Sequence, residues 1–477
     1  MSQPAKSRSS ERRVAANVAR GCVGNLIEWY DWFAYAAFSV FFAHAFFPSE
    51  STTAQLLSTA VVFAVGFFVR PLGGYILGRF ADRHGRRNAL TLSVFMMAAG
   101  SLLIAVTPSF DSIGLFAPVL LVVARLIQGL SVGGEFASSA TYLSEVATPG
   151  KRGFYSSFQY VSIILGQLSA LFVQIVLLQI LSREQMYEWG WRIPFVIGAV
   201  AAVVVMIIRR GMEESEHFVR EAARAAALSN AAGSKPKAGT LATLLKYPRS
   251  LILVFSLTVG GTIAFYTYTT YMQKYMINTA GIDPKTVAWI NFGALFVFMC
   301  LHPFVGALSD RIGRRPILIF FGASVALCTP ILMNIIGHTT NAWAAFFLML
   351  FGLTLLTGHT ALAAIVKAEL FPTKIRALGV GLPHAIVSAV FGGSAEPLAL
   401  ALKQAGIESV YFYYVSACAL VTMTAAIFLN KGGATPVLDD VEDGGEPEVG
   451  ANSVKQLRVS DEVRESQGTS TRVTSRE

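Results

Sequence analysis

Apolar blocks longer than the roughly 18 residues a helix needs to cross about 30 Å of hydrocarbon recur along the whole chain. Twelve can be delimited, at 20–47, 55–79, 88–107, 114–143, 153–181, 190–209, 248–277, 286–308, 315–336, 341–367, 374–402 and 408–430. Composition agrees with that reading: 54% of the 477 residues are hydrophobic and 14% are charged, where a soluble chain carries about a quarter charged. The sequence therefore predicts an all-α polytopic membrane protein with twelve transmembrane helices. The first twenty residues, MSQPAKSRSSERRVAANVAR, are polar and basic, and the apolar span after them is too long for a signal peptide core, so no cleavable signal is expected.

The expected organisation has five parts. Residues 1–19 form an N-terminal segment, 20–210 a first six-helix half, 211–247 a polar and partly helical linker, 248–430 a second six-helix half, and 431–477 a tail rich in Asp, Glu, Ser and Gly with the composition of disorder. Cys22, Cys300, Cys328 and Cys418 each belong to a different apolar segment without ligand-like spacing. They read as small packing residues, with neither disulfide nor metal site implied.

The net charge of +9 would suit a nucleic-acid binder, but its distribution gives another cause. Arg79, Arg83, Arg86 and Arg87, then Lys151 and Arg152, the linker, Arg311, Arg314 and Arg315, and Lys374 and Arg376 all fall in alternate loops. Arg183, Arg192, Lys285 and Lys403 are the main exceptions. Basic loops face the cytoplasm, so both termini and the linker are expected there, and no nucleic-acid partner is.

The halves also repeat. GRFADRHGRR at Gly78–Arg87 is matched by GALSDRIGRR at Gly306–Arg315, and SEVATPGKRG at Ser144–Gly153 by AELFPTKIRA at Ala368–Ala377. The offsets, 228 and 224 residues, are about half the chain. A six-span unit duplicated in parallel is the architecture of transporters whose halves rock about a central site. The duplicated Gly-x-x-x-Asp-Arg-x-Gly-Arg-Arg loop resembles the signature of the major facilitator superfamily. RLIQGLSVGGE at Arg125–Glu135 is similar to the fourth-helix motif of its proton-coupled members. GNLIEWYDW (Gly24–Trp32), RPLGG (Arg70–Gly74), WGWRIPF (Trp189–Phe195) and ALGVGL (Ala377–Leu382) resemble the metabolite:proton symporters within it. TTYMQKY (Thr269–Tyr275) and FGGSAE (Phe391–Glu396) are most similar to the α-ketoglutarate permease branch. The resemblance runs from about residue 15 to 430, and it implies the major facilitator fold in a bacterial inner membrane.

Asp82 and Asp310 end the second and eighth spans and are followed by basic residues, including Arg83, Arg86 and Arg314. Such a cluster can pair with a neighbouring helix end or with a charge across the bundle. The resemblance makes these loops a cytoplasmic gate, with Glu145 and Glu369, each before a Pro and two basic residues, as further gate partners.

Charges inside the spans are default functional candidates, because each costs roughly 2.5–3.5 kcal/mol at mid-membrane. Arg70 and Arg125, with Gln128 one turn on, offer guanidinium forks that match carboxylates bidentately. The competing reading is structural, with Arg125 paired to Asp31. Thr267, Tyr271 and Lys274 follow at i, i+4 and i+7 and would put hydroxyls and an ammonium on one helical face. Lys274 alternatively snorkels to the outer interface. Glu28 and Asp31 lie one turn apart in the first span and are expected to titrate as a unit that carries the proton, the competing reading being that Glu28 pairs with a structural arginine. Glu396 is a proton or sodium site, or a partner of Lys403. His84, His302, His359 and His384 are scattered, with His384 the one placed to face a cavity.

No G-x-x-x-x-G-K-[ST] phosphate loop occurs, so an ion gradient is the expected energy source, with no cofactor. A dianion entering against an inside-negative potential costs roughly 2.3 kcal/mol per charge per 100 mV. At least two protons per dianion are therefore expected. The leading function is proton-coupled dicarboxylate uptake, α-ketoglutarate first, by a monomer in the lipid bilayer. The alternatives are a zwitterion such as proline or betaine, a monocarboxylate such as shikimate, and, remotely, a non-transporting receptor. No nucleophile–base constellation points to an enzyme.

Overall fold

A computed structural model describes residues 5–84, 86–133, 140, 143, 147, 150–210, 244–372 and 375–429. The apolar blocks form helices in the expected order. They are α1 (Ala5–Phe46), α2 (Thr52–Phe68, continuing after Val69 as Arg70–His84), α3 (Arg86–Val106), α4 (Phe116–Val132), α5 (Arg152–Ile180) and α6 (Ile193–Arg210). The second series is α7 (Pro248–Asn278), α8 (Pro284–Ile312), α9 (Arg314–Gly337), α10 (Ala342–Glu369), α11 (Leu378–Gln404) and α12 (Ser409–Ile427). Among the described residues eight helices are long and apolar enough to cross a membrane, and three shorter apolar ones fill further places in the series. The helix of the first span begins at Ala5, inside the segment expected to precede it.

Helix limits follow local chemistry. Asp283 accepts from the backbone N–H of Lys285 and Thr286 (3.0 and 3.4 Å) ahead of Pro284, which needs no donor there. Asn341 caps α10 in the same way. Gly313, at φ +87°, separates α8 from α9 in a conformation that side chains rarely adopt. This accounts for the glycine of the second Gly-x-x-x-Asp-Arg-x-Gly-Arg-Arg loop.

Two helices depart from α-helical spacing. Residues Thr267–Tyr271 of α7 and Ser388–Gly392 of α11 each form a π-helical turn. Each carries an extra residue, which rotates everything beyond it relative to regular 3.6-residue spacing.

α5 packs lengthwise on α8 and α2 on α11, so the two series of helices meet along these two seams. Phe304, Leu327 and Trp343 are more than 70% exposed on the outside, as suits a surface bathed in hydrocarbon.

Candidate transport site

Trp32 of α1, 1% exposed, is the centre of the first half's polar interior. The Arg70 guanidinium lies 3.9 Å from its ring centroid and that of Arg125 lies 4.1 Å away. Phe67 flanks Arg70, while Tyr35 and Phe63 flank Arg125. Arg125 is fully buried and Arg70 6% exposed. Desolvated guanidinium–indole contacts supply about 2 kcal/mol each, but they do nothing for the repulsion between two cations sharing one ring. Nε and Nη2 of both arginines have no hydrogen-bond acceptor. Tyr266 of α7 faces Arg70 from the second half.

Gln128 sits between Arg125 and Ser101. Its Oε1 accepts from Arg125 Nη1 (2.8 Å), and its Nε2 donates to Ser101 Oγ on α3 (2.9 Å). Both ends of the amide are engaged, and Gln128 holds the Arg125 guanidinium.

Asp31 is 0% exposed, and neither carboxylate oxygen accepts a hydrogen bond. The expected contact pair with Arg125 is not made. Ser101 and Arg125 are the polar groups that bear on Asp31. Because Ser101 Oγ already accepts from Gln128, its own hydrogen is free to turn toward Asp31. A hydrogen-bonded path thus runs from Arg125 through Gln128 to Ser101, which bears on the carboxyl. Gly198 of α6 makes room for it: a Cβ there would lie 1.8 Å from Asp31 Oδ1. Glu28 is 3% exposed, and its Oε2 has no hydrogen-bond partner. Asp31 and Glu28 make no hydrogen bond to one another.

In the second half the π-helical turns decide the partners. Lys274 donates to Glu396 in a salt bridge between side chains that are both 2% exposed. Lys274 therefore neither snorkels nor offers an uncommitted ammonium, and Glu396 does not pair with Lys403. Lys403 donates instead to Asn278 O (2.7 Å) and Thr279 Oγ1 (2.5 Å). The wide turn at Thr267–Tyr271 breaks the face expected from i, i+4, i+7 spacing. Thr267 Oγ1 bonds the Tyr411 hydroxyl (2.7 Å), and Tyr271 donates to Glu408 (2.5 Å), both toward α12, whereas Lys274 is turned to α11. Removing one partner of a buried pair strands the other charge at a cost of about 3–5 kcal/mol, while a pair replaced by packed apolar groups is often neutral. Lys274→Met should therefore lower the melting temperature in detergent sharply, and Lys274→Met/Glu396→Met should recover most of the loss. Equal melting of the single variant and the parent would show the pair carries no such strain.

At the end of the bundle bearing Arg311, Arg314 and Arg315 the two halves touch through Asp310. Its Oδ1 accepts from Gly153 N (2.8 Å) and its Oδ2 from Phe154 N (3.0 Å), the free donors at the start of α5. Arg314 Nη1 holds Asp310 (2.9 Å), and Nη2 reaches Glu369 (3.4 Å). A Cβ on Gly306 would lie 2.5 Å from Gly153 O, so the helices meet backbone to backbone. Of the expected gate residues, Glu145 lies outside the described residues, as do the side chains of Asp82, Arg83 and Arg86. At the opposite end Asn278 of α7 donates to Thr53 Oγ1 of α2 (3.2 Å). Nearer the middle, Gln273 donates to Gln174 (3.2 Å) and Gln167 to Thr269 O (2.7 Å). The arginines are thus enclosed from both ends.

Sequence reasoning passed over Trp32, Ser101, Tyr266, Glu408 and Lys367. Trp32 is part of GNLIEWYDW, where the two acids are the stronger signal in an apolar run. Lys367 ends the span 341–367, yet it is 2% exposed and lies 2.9 Å from His384 Nδ1.

A duplicated bundle enclosing buried charges at its centre defines a major facilitator transporter. Solved structures agree on the fold. The proton:xylose symporter XylE superimposes with a TM-score of 0.72 at 15% identity, over 91% of this chain and 99% of that one. The partially occluded, inward-open xylose transporter XylE from E. coli gives 0.68 at 17%, over 87% and 96%. The sequence profile of the "Sugar (and other) transporter" family matches residues 18–431, and the chain belongs to that family. Among its relatives, the alpha-ketoglutarate permease of Escherichia coli K12 is 47% identical over 90% of this chain and 96% of its own length. The citrate-proton symporter of Klebsiella pneumoniae is 33% identical over 87% and 92%. The proline/betaine transporter of Salmonella typhimurium is 28% identical over 90% and 87%. The protein is a multi-pass membrane transporter, not an enzyme.

Proposed function

We propose that this transporter takes up a dicarboxylate, α-ketoglutarate foremost, together with protons. The observation that carries the reading is the pair of buried guanidiniums on Trp32, each with two N–H nitrogens lacking an acceptor. Carboxylates are the ligands whose geometry answers such forks and whose charge offsets two desolvated cations. The 47% identity to an α-ketoglutarate permease supports the same substrate. Asp31, joined to Arg125 through Gln128 and Ser101, takes the proton, so carboxylate arrival at Arg125 is felt at the proton site. The six-helix halves, 20–210 and 248–430, rock about this centre as a monomer in a bacterial inner membrane, with both termini cytoplasmic. Asp310, Arg314 and Glu369 then close the cytoplasmic side, with Asp82, Arg83, Arg86 and Glu145 as their counterparts.

The test is uptake by proteoliposomes offered labelled α-ketoglutarate, citrate, shikimate, proline and betaine under imposed proton or sodium gradients. α-Ketoglutarate accumulation driven by an inward proton gradient is the expected result, and accumulation of only proline or betaine would overturn the reading. With at least two protons per dianion, a positive interior without a pH gradient should leave the rate unchanged or lower it. Acceleration by a positive interior would refute that stoichiometry.

A further inference from the structure

Away from the polar interior, a cavity of about 430 Å³ lies between α1, α5 and α6 of the first half and α8 of the second. Every lining position falls inside an apolar span, well away from its ends. At the back α1 lies close on α5: a Cβ on Gly166 would come within 2.7 Å of Leu26 O and 2.9 Å of Tyr30 N. Phe172 of α5 and Phe296 of α8 are its most exposed lining residues, at 57% and 50%, so it opens on the lipid-bathed surface. Phe172 also meets Phe292 of α8 at 6.5 Å between ring centroids, so one wall is the α5–α8 seam between the halves. Tyr30 and Ser169 carry the only side-chain oxygens of the lining, and both are spent within the protein. Tyr30 donates to Pro194 O (2.9 Å) and Ser169 to Leu165 O (2.8 Å).

An apolar cavity of about 150 Å³ stays dry and takes one benzene, so this one has room for roughly three times as many carbons. With both lining hydroxyls committed, it offers nothing to a water cluster or to a lipid headgroup. At this depth of the bilayer the surrounding solvent is hydrocarbon. We infer that the cavity is a binding site for a single phospholipid acyl chain, held by both halves at once. The chain lies one residue away from the Asp31 carboxyl on two helices. Tyr30 precedes Asp31, and Ile197 precedes Gly198, the glycine that makes room for that carboxyl. Lipid hydrocarbon thus backs the α1–α6 contact at Asp31 and the α5–α8 seam together.

The experiment places the full-length protein in phosphatidylcholine vesicles containing a phospholipid with a photoactivatable diazirine at mid-chain. After illumination, adducts are mapped by mass spectrometry. Around ten added carbon contacts raise the occupancy of a gripped chain roughly tenfold over a chain on open surface. Adducts on Leu165, Ile197 and Phe296 should therefore exceed by that factor those on Leu327 and Phe351, which are 71% and 49% exposed in mid-span outside the cavity. Ala201→Phe, which fills the cavity with protein carbon, should bring the two groups level. Should that variant not fold, Ser169→Phe makes the same comparison, and the labelling of the parent decides in either case. Equal labelling of the two groups in the parent, or an enrichment that survives the filling substitution, would overturn the site. Cavity residues left unlabelled would mean that protein covers this face, and would overturn it equally.

Discussion

Asp31→Asn should abolish proton-driven accumulation of substrate while leaving counterflow exchange largely intact. The substitution is nearly isosteric, so the room made by Gly198 and the polar path through Ser101 and Gln128 to Arg125 stay in place. What disappears is the ability to take up and release a proton at the end of that path. Exchange of labelled for unlabelled α-ketoglutarate requires the halves to reorient with cargo but needs no net proton flow. Concentrative uptake under an inward proton gradient should fall by about 100-fold or more, because no driving force is harnessed. The decisive comparison is both assays on one preparation: accumulation surviving in Asp31→Asn removes this carboxyl from the proton pathway. Loss of exchange along with accumulation would make Asp31 a structural residue.

Arg125→Gln should be as damaging, through binding. The fully buried guanidinium is held by Gln128 on Nη1 and keeps Nε and Nη2 without acceptors. Hydrogen bonds to a charged group contribute about 1.5–3 kcal/mol each, so losing two weakens a dicarboxylate by at least about 100-fold. Arg125→Lys should not rescue this, because an ammonium cannot bond Gln128 and both ligand oxygens in the fork geometry. Titration of α-ketoglutarate against intrinsic fluorescence of the purified protein measures the effect. Affinity within threefold of the parent for either variant would displace Arg125 from the site.

The spans, the duplication and the two arginines were legible because each is a one-dimensional signal. Apolar length, a motif offset and a charge in an apolar run survive without three-dimensional information. The capping of α5 by Asp310 was also within reach, since an acid at a helix end seeks a neighbouring helix end. Partners inside the second half were not. The face through Thr267, Tyr271 and Lys274 assumed 3.6 residues per turn, and the π-helical turn between Thr267 and Tyr271 rotates Lys274 off it. The second wide turn, at Ser388–Gly392, immediately precedes the helix that carries Glu396. Neither is marked by a Pro or a charge. Glu28 and Asp31 are close along the helix, but the packing of α3, α4 and α6 around Asp31 gives the two acids different surroundings.

The contact of Gly153 with Gly306 has a mechanical meaning. A seal made of side chains can loosen one rotamer at a time and leak by degrees. Here the facing surfaces are main chain on main chain, tied by a carboxylate to two amide donors at the start of α5. At that point a rotamer change alone does not part the two backbones, and separating them takes a shift of α5 against α8. The joint behaves as a hinge plate: where Gly153 meets Gly306, movement of one helix is passed directly to the other half.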